Sequence, residues 1–327
     1  MNKDSHILVT GATGFVGRAL CIALITKGYR VTAMVRRADA LLPDGVVRWV
    51  APELPDLAPD TAQRLTGIDM VVHTAGRAHI RQDNDHDPLT AFRRVNTEGT
   101  LSLARAAASA GVRRFIFVSS IGVSGSQSGD HAFRANDPPQ PDSPYAQSKW
   151  EAEQALMHLQ MATSMTMLLV RPPMIYGPAA PGNFALLARL VAKGWPLPLG
   201  GLQAPRSFVA LDNVVDLLTH MVSHPNPPSG VYLVADAQIT TTTQFIRAMA
   251  NGMGQKLCLI PVPASLLLVL ASLAGRGEQV RKMAVPLAID MQSTEARLSW
   301  TPPLCMEAAM QSAFSTTTAP LPLESTT

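Results

Sequence analysis

Tyr145 and Lys149 stand four residues apart in the run SPYAQSKWEAEQAL. On a helix that spacing puts both side chains on one face. A phenol beside an ammonium can move a proton. Free tyrosine titrates near ~10, too high for a good base, and a neighbouring positive charge favours the phenolate. An ordinary helix opening is the other reading. Ser143 suits an N-cap and Pro144 the first helical position, and most tyrosine–lysine pairs at this spacing do nothing chemical. A second chemistry-bearing run is TGATGFVG, residues 10–17, with Gly11, Gly14 and Gly17 spaced GxxGxxG. Gly11 permits a tight turn, Gly14 lets a pyrophosphate approach the main chain, and Gly17 lets helix and strand pack closely. The N-terminus of the following helix offers free N–H groups and the positive end of its dipole. Alone, a glycine trio is weak; between a strand and a helix it points to dinucleotide binding.

These residues need a frame to hold them. The apolar run 6–10 (HILVT) reads as a buried strand ending at Gly11, and 14–27 as a helix ending at Gly28. Further strands are expected at 30–35, 46–50, 69–74, 114–119 and 165–171. Helices are expected at 88–110 and from Ser143 onward. Strands alternating with helices predict βαβ units, hence an α/β fold with a Rossmann-type, doubly wound parallel sheet. The strands are continuously apolar, as when both faces are covered. Their carboxyl ends, where such sheets bind ligands, carry Gly11, Arg36, Thr74–Ala75, Ser119–Ser120 and Arg171. After Pro172 the texture turns rich in proline and glycine. This divides the chain into a dinucleotide-binding domain, 1–172 with 206–235 returning to it, a smaller substrate-binding lobe, 173–205 and 236–314, and a disordered tail, 315–327.

The 327 residues are 47% hydrophobic and 16% charged, a folded composition. The net charge of +3 comes without a lysine-rich block or aromatic–basic interleaving, which argues against nucleic acid. The longest apolar run, 264–274, is about half the ~20 residues that span a bilayer. No transmembrane segment is expected, and a buried or interface helix ranks ahead of a membrane-surface one. Cys21, Cys258 and Cys305 show neither metal spacing nor a disulfide framework. With no signal-peptide core at the N-terminus, a reducing cytoplasm fits.

TGATGFVG, HTAG (73–76), VNTEGT (95–100), FVSS (117–120), PYAQSK (144–149) and RPPMIYGP (171–178), in that order and spacing, resemble the extended short-chain dehydrogenase/reductase family over most of the chain. GNF (182–184), APRSFVALDNVVD (204–216) and the late LSWTPP (298–303) are most similar to bacterial nucleotide-sugar epimerases and 4-keto reductases of surface-polysaccharide (O-antigen) synthesis. The resemblance implies that Tyr145 is the acid/base and that Lys149 both assists it and holds the nicotinamide ribose. It implies that Ser120 hydrogen-bonds the reacting oxygen, with Ser119 the one-residue alternative. The cofactor would be held by Gly11, Thr13, Gly14, Phe15, Val16, Gly17, Ala75, Lys149 and Pro172. The substrate would be met by Ser120, Tyr145, Asn96, Asn183 and Arg206. Asn96 can equally be a polar residue of a long helix, and Arg206 a surface ion-pair partner. The adenine pocket falls at Glu53–Leu54 or Asp56–Leu57. A homodimer through two helices per subunit is the family habit.

The end of the second strand reads MVRR, where an acid usually binds the adenosine ribose of NAD. Arg36 there can hold a 2′-phosphate, which favours NADP over NAD; two solvated arginines on a turn are the other reading. The family's sugar dehydratases carry an acid pair after the active-site serine or threonine. Ile121–Gly122–Val123 stand here, so dehydration is not expected. What is left is redox at C4 of a nucleotide sugar. Arg36 tilts the expectation to a reductase of a UDP-4-keto-6-deoxy-N-acetylhexosamine. The alternative is a UDP-sugar 4-epimerase, of UDP-glucose or UDP-N-acetylglucosamine type, with tightly held NAD. Steroid-type alcohols and a non-enzymatic dinucleotide-sensing regulator are lesser readings.

Overall fold

A computed structural model describes residues 5–78, 87–273, 275 and 277–315. The chain begins β1 (His6–Thr10), α1 (Phe15–Thr26), β2 (Arg30–Val35), β3 (Val47–Val50), α2 (Thr61–Arg64) and β4 (Met70–His73). It continues α3 (Pro88–Phe92), α4 (Thr100–Ser109), β5 (Arg114–Val118), α5 (Pro144–Met161) and β6 (Thr166–Arg171). Successive side chains of a strand point to opposite faces. Ile7 and Val9 accordingly join Leu20 and Leu24 of α1 in one core. Leu8 joins Leu103 of α4 and Leu156 of α5 in a second. Both faces are covered, which is why the strands lack polar alternation.

Beyond β6 come β7 (Ile175–Tyr176), α6 (Asn183–Ala192), β8 (Pro205–Arg206), β9 (Val209–Ala210), α7 (Leu211–Ser223), β10 (Gly230–Leu233) and β11 (Thr240–Thr241). Then follow α8 (Thr242–Gly252), α9 (Ala264–Leu273), α10 (Gly277–Ala284), α11 (Gln292–Leu298) and α12 (Met306–Phe314). The main sheet has the order β10-β6-β5-β4-β1-β2-β3, all parallel. This is the doubly wound α/β arrangement that the sequence predicts. α7 packs beside α1. A third core gathers Phe184 and Leu187 of α6, Phe245 and Ile246 of α8, Met310 of α12 and Phe208. The strands begin and end within a residue of their expected bounds. All of the expected tail except Ser315 lies outside the described residues.

The helix expected at 88–110 is not uniform. Between α3 and α4 the segment Arg93–Gly99 is a π-helix. The Thr100 hydroxyl bonds back to the Asn96 carbonyl at 2.7 Å, and Gly99 lies so close to Leu54 that a Cβ would sit 2.6 Å from the leucine Cβ. Ser/Thr back-bonding perturbs the helical ladder, and single π turns recur at functional sites.

Candidate active site

The glycine loop joins β1 to α1. Gly11 is left-handed, φ +69°, and a Cβ on it would lie 2.7 Å from the Ala75 nitrogen. On Gly17 a Cβ would lie 2.1 Å from the Gly11 carbonyl oxygen. Both glycines are therefore demanded by the fold. Gly14 differs. Its φ of −80° suits any residue, and its closest conflict would be 3.1 Å, to the Gly11 oxygen. The protein does not need glycine there; a ligand approaching the main chain would. Gly14 is also the N-cap of α1 and supplies no side-chain cap, leaving first-turn N–H groups to an anion. Half-buried Thr13, Phe15 and Val16 complete the loop. Ala75 N bonds to the Thr10 hydroxyl at 3.3 Å, fixing the end of β4 against the loop. Below it, buried His73 is held between the hydroxyls of Thr10 (2.6 Å) and Thr100 (2.9 Å). Burial, aided by nearby Lys149, drives its pKa down to about 3, so it is a neutral tie. These residues fit a dinucleotide diphosphate.

β5 leads into Ser119, Ser120 and a single 3-10 turn at Ile121–Val123. The Ser120 hydroxyl accepts from Gly122 N at 3.1 Å and stands beside the Tyr145 phenol, whose pKa it draws down. Ser119 is buried instead, and its hydroxyl has no partner in the structure. Ser120, not Ser119, stands with the tyrosine. α5 starts as its sequence predicts: the Ser143 hydroxyl accepts from Ala146 N at 3.2 Å, and Pro144 is at N1. The Tyr145 ring meets the edge of Phe92 at 5.8 Å. One turn on, buried Lys149 donates to the Val118 carbonyl at 3.0 Å and lies 4.5 Å over the Phe117 ring.

One expectation about this pair is corrected. Lys149 does not lower the tyrosine in the free protein. Burial pushes Tyr145 up to about 12, and the Ser120 hydroxyl pulls the other way. Burial also pulls Lys149 down to about 8, opposed by the Glu153 carboxylate. The ammonium is engaged by Val118 and Phe117, and desolvation outweighs the charge effect. Glu153 itself is buried in a two-pronged pair with Arg171, 2.6 and 3.0 Å, and Arg171 also reaches the Ser124 hydroxyl at 3.1 Å.

Other expected residues are placed as follows. Asn96 is buried and engaged inside the protein: its carbonyl oxygen accepts from Arg77 N at 2.8 Å, and its amide donates to the Arg77 carbonyl and the Ser148 hydroxyl. It ties the loop after β4 to α5. Arg206 makes no ion pair among the described residues; one guanidinium nitrogen holds the Lys282 and Val285 carbonyls at 2.5 and 2.7 Å, and burial lowers its pKa to about 10. Asn183 is exposed at the first turn of α6. Pro172 is buried, its carbonyl accepting from Ile121 N at 2.9 Å, so β6 braces the serine turn. Arg36 is ion-paired with Glu53 at 2.8 Å, both well exposed. Leu54 is core, while Asp56 pairs with Arg94.

With this geometry in hand, the comparisons are decisive about kinship. The model of the NAD dependent epimerase/dehydratase family matches residues 7–235. The chain belongs to that family. A UDP-glucose 4-epimerase of Vibrio cholerae is 38% identical, covering 92% of this chain and 92% of the relative. A ceramide reductase of Caulobacter vibrioides is 31% identical, covering 90% and 86%. The crystal structure of a Thermus thermophilus UDP-glucose 4-epimerase in complex with NAD superposes with TM-score 0.74 at 23% identity, covering 94% of this chain and 97% of that one; it shares the fold. Spacing gives no signal for Phe92 or Ser124. A carboxylate one turn past a lysine was the available signal for Glu153.

Proposed function

We propose that the protein is a UDP-sugar 4-epimerase that retains NAD through turnover. The observation that carries the redox chemistry is the placing of Ser120 beside the Tyr145 phenol, one turn from buried Lys149, at the sheet edge that bears the glycine loop. In this reading Tyr145 accepts the proton of the sugar C4 hydroxyl, and Ser120 holds the same oxygen. Bound NAD supplies the hydride acceptor, later the hydride donor, and a positive ring whose charge favours the phenolate. Tyr145 returns a proton when the 4-keto sugar is reduced on its other face, so atoms and electrons balance over the cycle. Ile121–Gly122–Val123 follow Ser120 where a dehydratase would need an acid pair. Asn183 and the uncapped start of α6 suit the diphosphate of the nucleotide.

The surroundings of Arg36 favour the epimerase over the reductase. The reductase reading rests on Arg36 holding a 2′-phosphate, yet its partner is the Glu53 carboxylate, which a phosphate would have to displace against like charge. The relative covering 92% of the chain, a 4-epimerase by name, supports the same choice. The test is interconversion of UDP-glucose and UDP-galactose, and of their N-acetyl counterparts, by purified protein without added cofactor. The reading expects turnover and NAD released on denaturation, with Tyr145→Phe retaining NAD but losing turnover by roughly a thousandfold. Consumption of NADPH by a UDP-4-keto-6-deoxy sugar, with no epimer formed, would establish the reductase instead.

A further inference from the structure

α9 presents an apolar stripe to solvent. Leu266, Val269, Leu270 and Leu273 are 51, 59, 54 and 83% exposed. Their spacing of three, one and three residues is that of a single helix face. Leu267 faces the other way into the lobe core. The stripe does not stand alone. The strand-like run carrying Trp195, itself 63% exposed, lies beside the segment that enters α9: Leu197 N bonds to the Cys258 carbonyl, Ile260 N to the Leu197 carbonyl and Gly200 N to the Ile260 carbonyl. Ile260 is exposed as well. Isolated exposed leucines are ordinary, but a contiguous group of this kind marks an interaction surface.

Charge says what covers it. The lobe, 173–205 and 236–314, contains eight lysines and arginines and five acids, whereas the rest of the chain contains nineteen of each. The chain's whole net charge of +3 thus falls on the lobe. The cations border the stripe. α10, packed on α9, exposes Arg281 and Lys282, which share Glu278. Exposed Lys256 lies just ahead of α9, and Lys193 sits 4.8 Å over the Trp195 ring. A second copy of this face would meet it with like charge. An anionic lipid surface satisfies both features, taking the leucines below the headgroups and the cations among them, with a tryptophan at the boundary. α9 has ten residues, about 15 Å, half of a bilayer core. No described helix is long and apolar enough to cross a membrane.

We propose that the α9–α10 face docks the protein reversibly onto an anionic membrane surface. The experiment is co-sedimentation of the full chain with vesicles of phosphatidylcholine alone or mixed with phosphatidylglycerol, at low and high salt. Docking predicts binding to the mixed vesicles that weakens with salt. Leu270→Glu/Leu273→Glu should lower it roughly tenfold or more. Arg281→Glu/Lys282→Glu should lower it on the order of 25-fold, from about fivefold per lost cation. Urea midpoints of both variants should match the parent, which separates lost docking from lost folding. The proposal falls if the parent ignores phosphatidylglycerol vesicles, or if Leu270→Glu/Leu273→Glu still sediments with them. It falls equally if that variant merely dissociates an oligomer that binds no vesicle. None of these readouts depends on which sugar the active site accepts.

Discussion

Gly14 and Gly17 separate what the fold requires from what the cofactor requires. Gly17→Ala places a methyl 2.1 Å from the Gly11 carbonyl oxygen and 2.7 Å from both the Gly11 carbonyl carbon and the Thr74 hydroxyl. Two of these three neighbours are main chain. α1 must retreat by roughly 1 Å in an interior that is already close-packed, at a cost of about 3 kcal/mol. Gly14→Ala meets a single atom at 3.1 Å, at a φ open to any residue. Alanine is a poorer N-cap than glycine, so the cost is about 1 kcal/mol or less. If a diphosphate lies against this turn, however, the Gly14→Ala methyl occupies its approach and weakens two charge-assisted N–H bonds, worth about 3 kcal/mol together, or roughly a hundredfold in affinity. Urea denaturation gives the stabilities; calorimetric titration of NAD into stripped protein gives the affinities. Gly17→Ala should fail both tests and Gly14→Ala only the second. A Gly14→Ala protein that binds NAD like the parent would sink the assignment of this loop to the cofactor.

Lys149 is a buried base whose pKa is lowered to about 8. The native state resists its charge, so its unfavourable contribution is full below pH 8 and fades as the pH rises toward the unfolded value of ~10.4. Lys149→Met should lose turnover yet gain about 1–3 kcal/mol at pH 7, a gain that shrinks toward pH 10; denaturant melts at the two pH values check this, and equal gains at both would refute the burial argument. Glu153→Ala leaves Arg171 buried and uncompensated and should cost about 3–5 kcal/mol in the same melts. Arg36→Gln, at an exposed pair worth about 1 kcal/mol or less, should leave NAD affinity within about threefold; a collapse in NADP affinity alone would return the residue to the role first expected of it.

Residues whose role follows from main-chain geometry were legible in the sequence. The β1–α1 glycines, the Ser143–Pro144 helix start and the strands buried on both faces all lie within a few residues of the signals that mark them. The surroundings that spacing cannot supply depend on side chains arriving from far along the chain. Asn96 reads as a site residue until Ser148 and the Arg77 main chain occupy its amide. Arg36 reads as a phosphate ligand from its place after β2, while its exposed ion-pair partner Glu53 arrives from beyond β3. Spacing correctly places Lys149 one turn from Tyr145, but spacing carries no information about solvent. In water its charge would dominate; beneath the Phe117 ring, desolvation sets the pKa of both groups. α9 shows the same limit in reverse: a leucine-rich helix signals burial, and only the position of α10 and the Trp195 run reveals that one face is left to the outside.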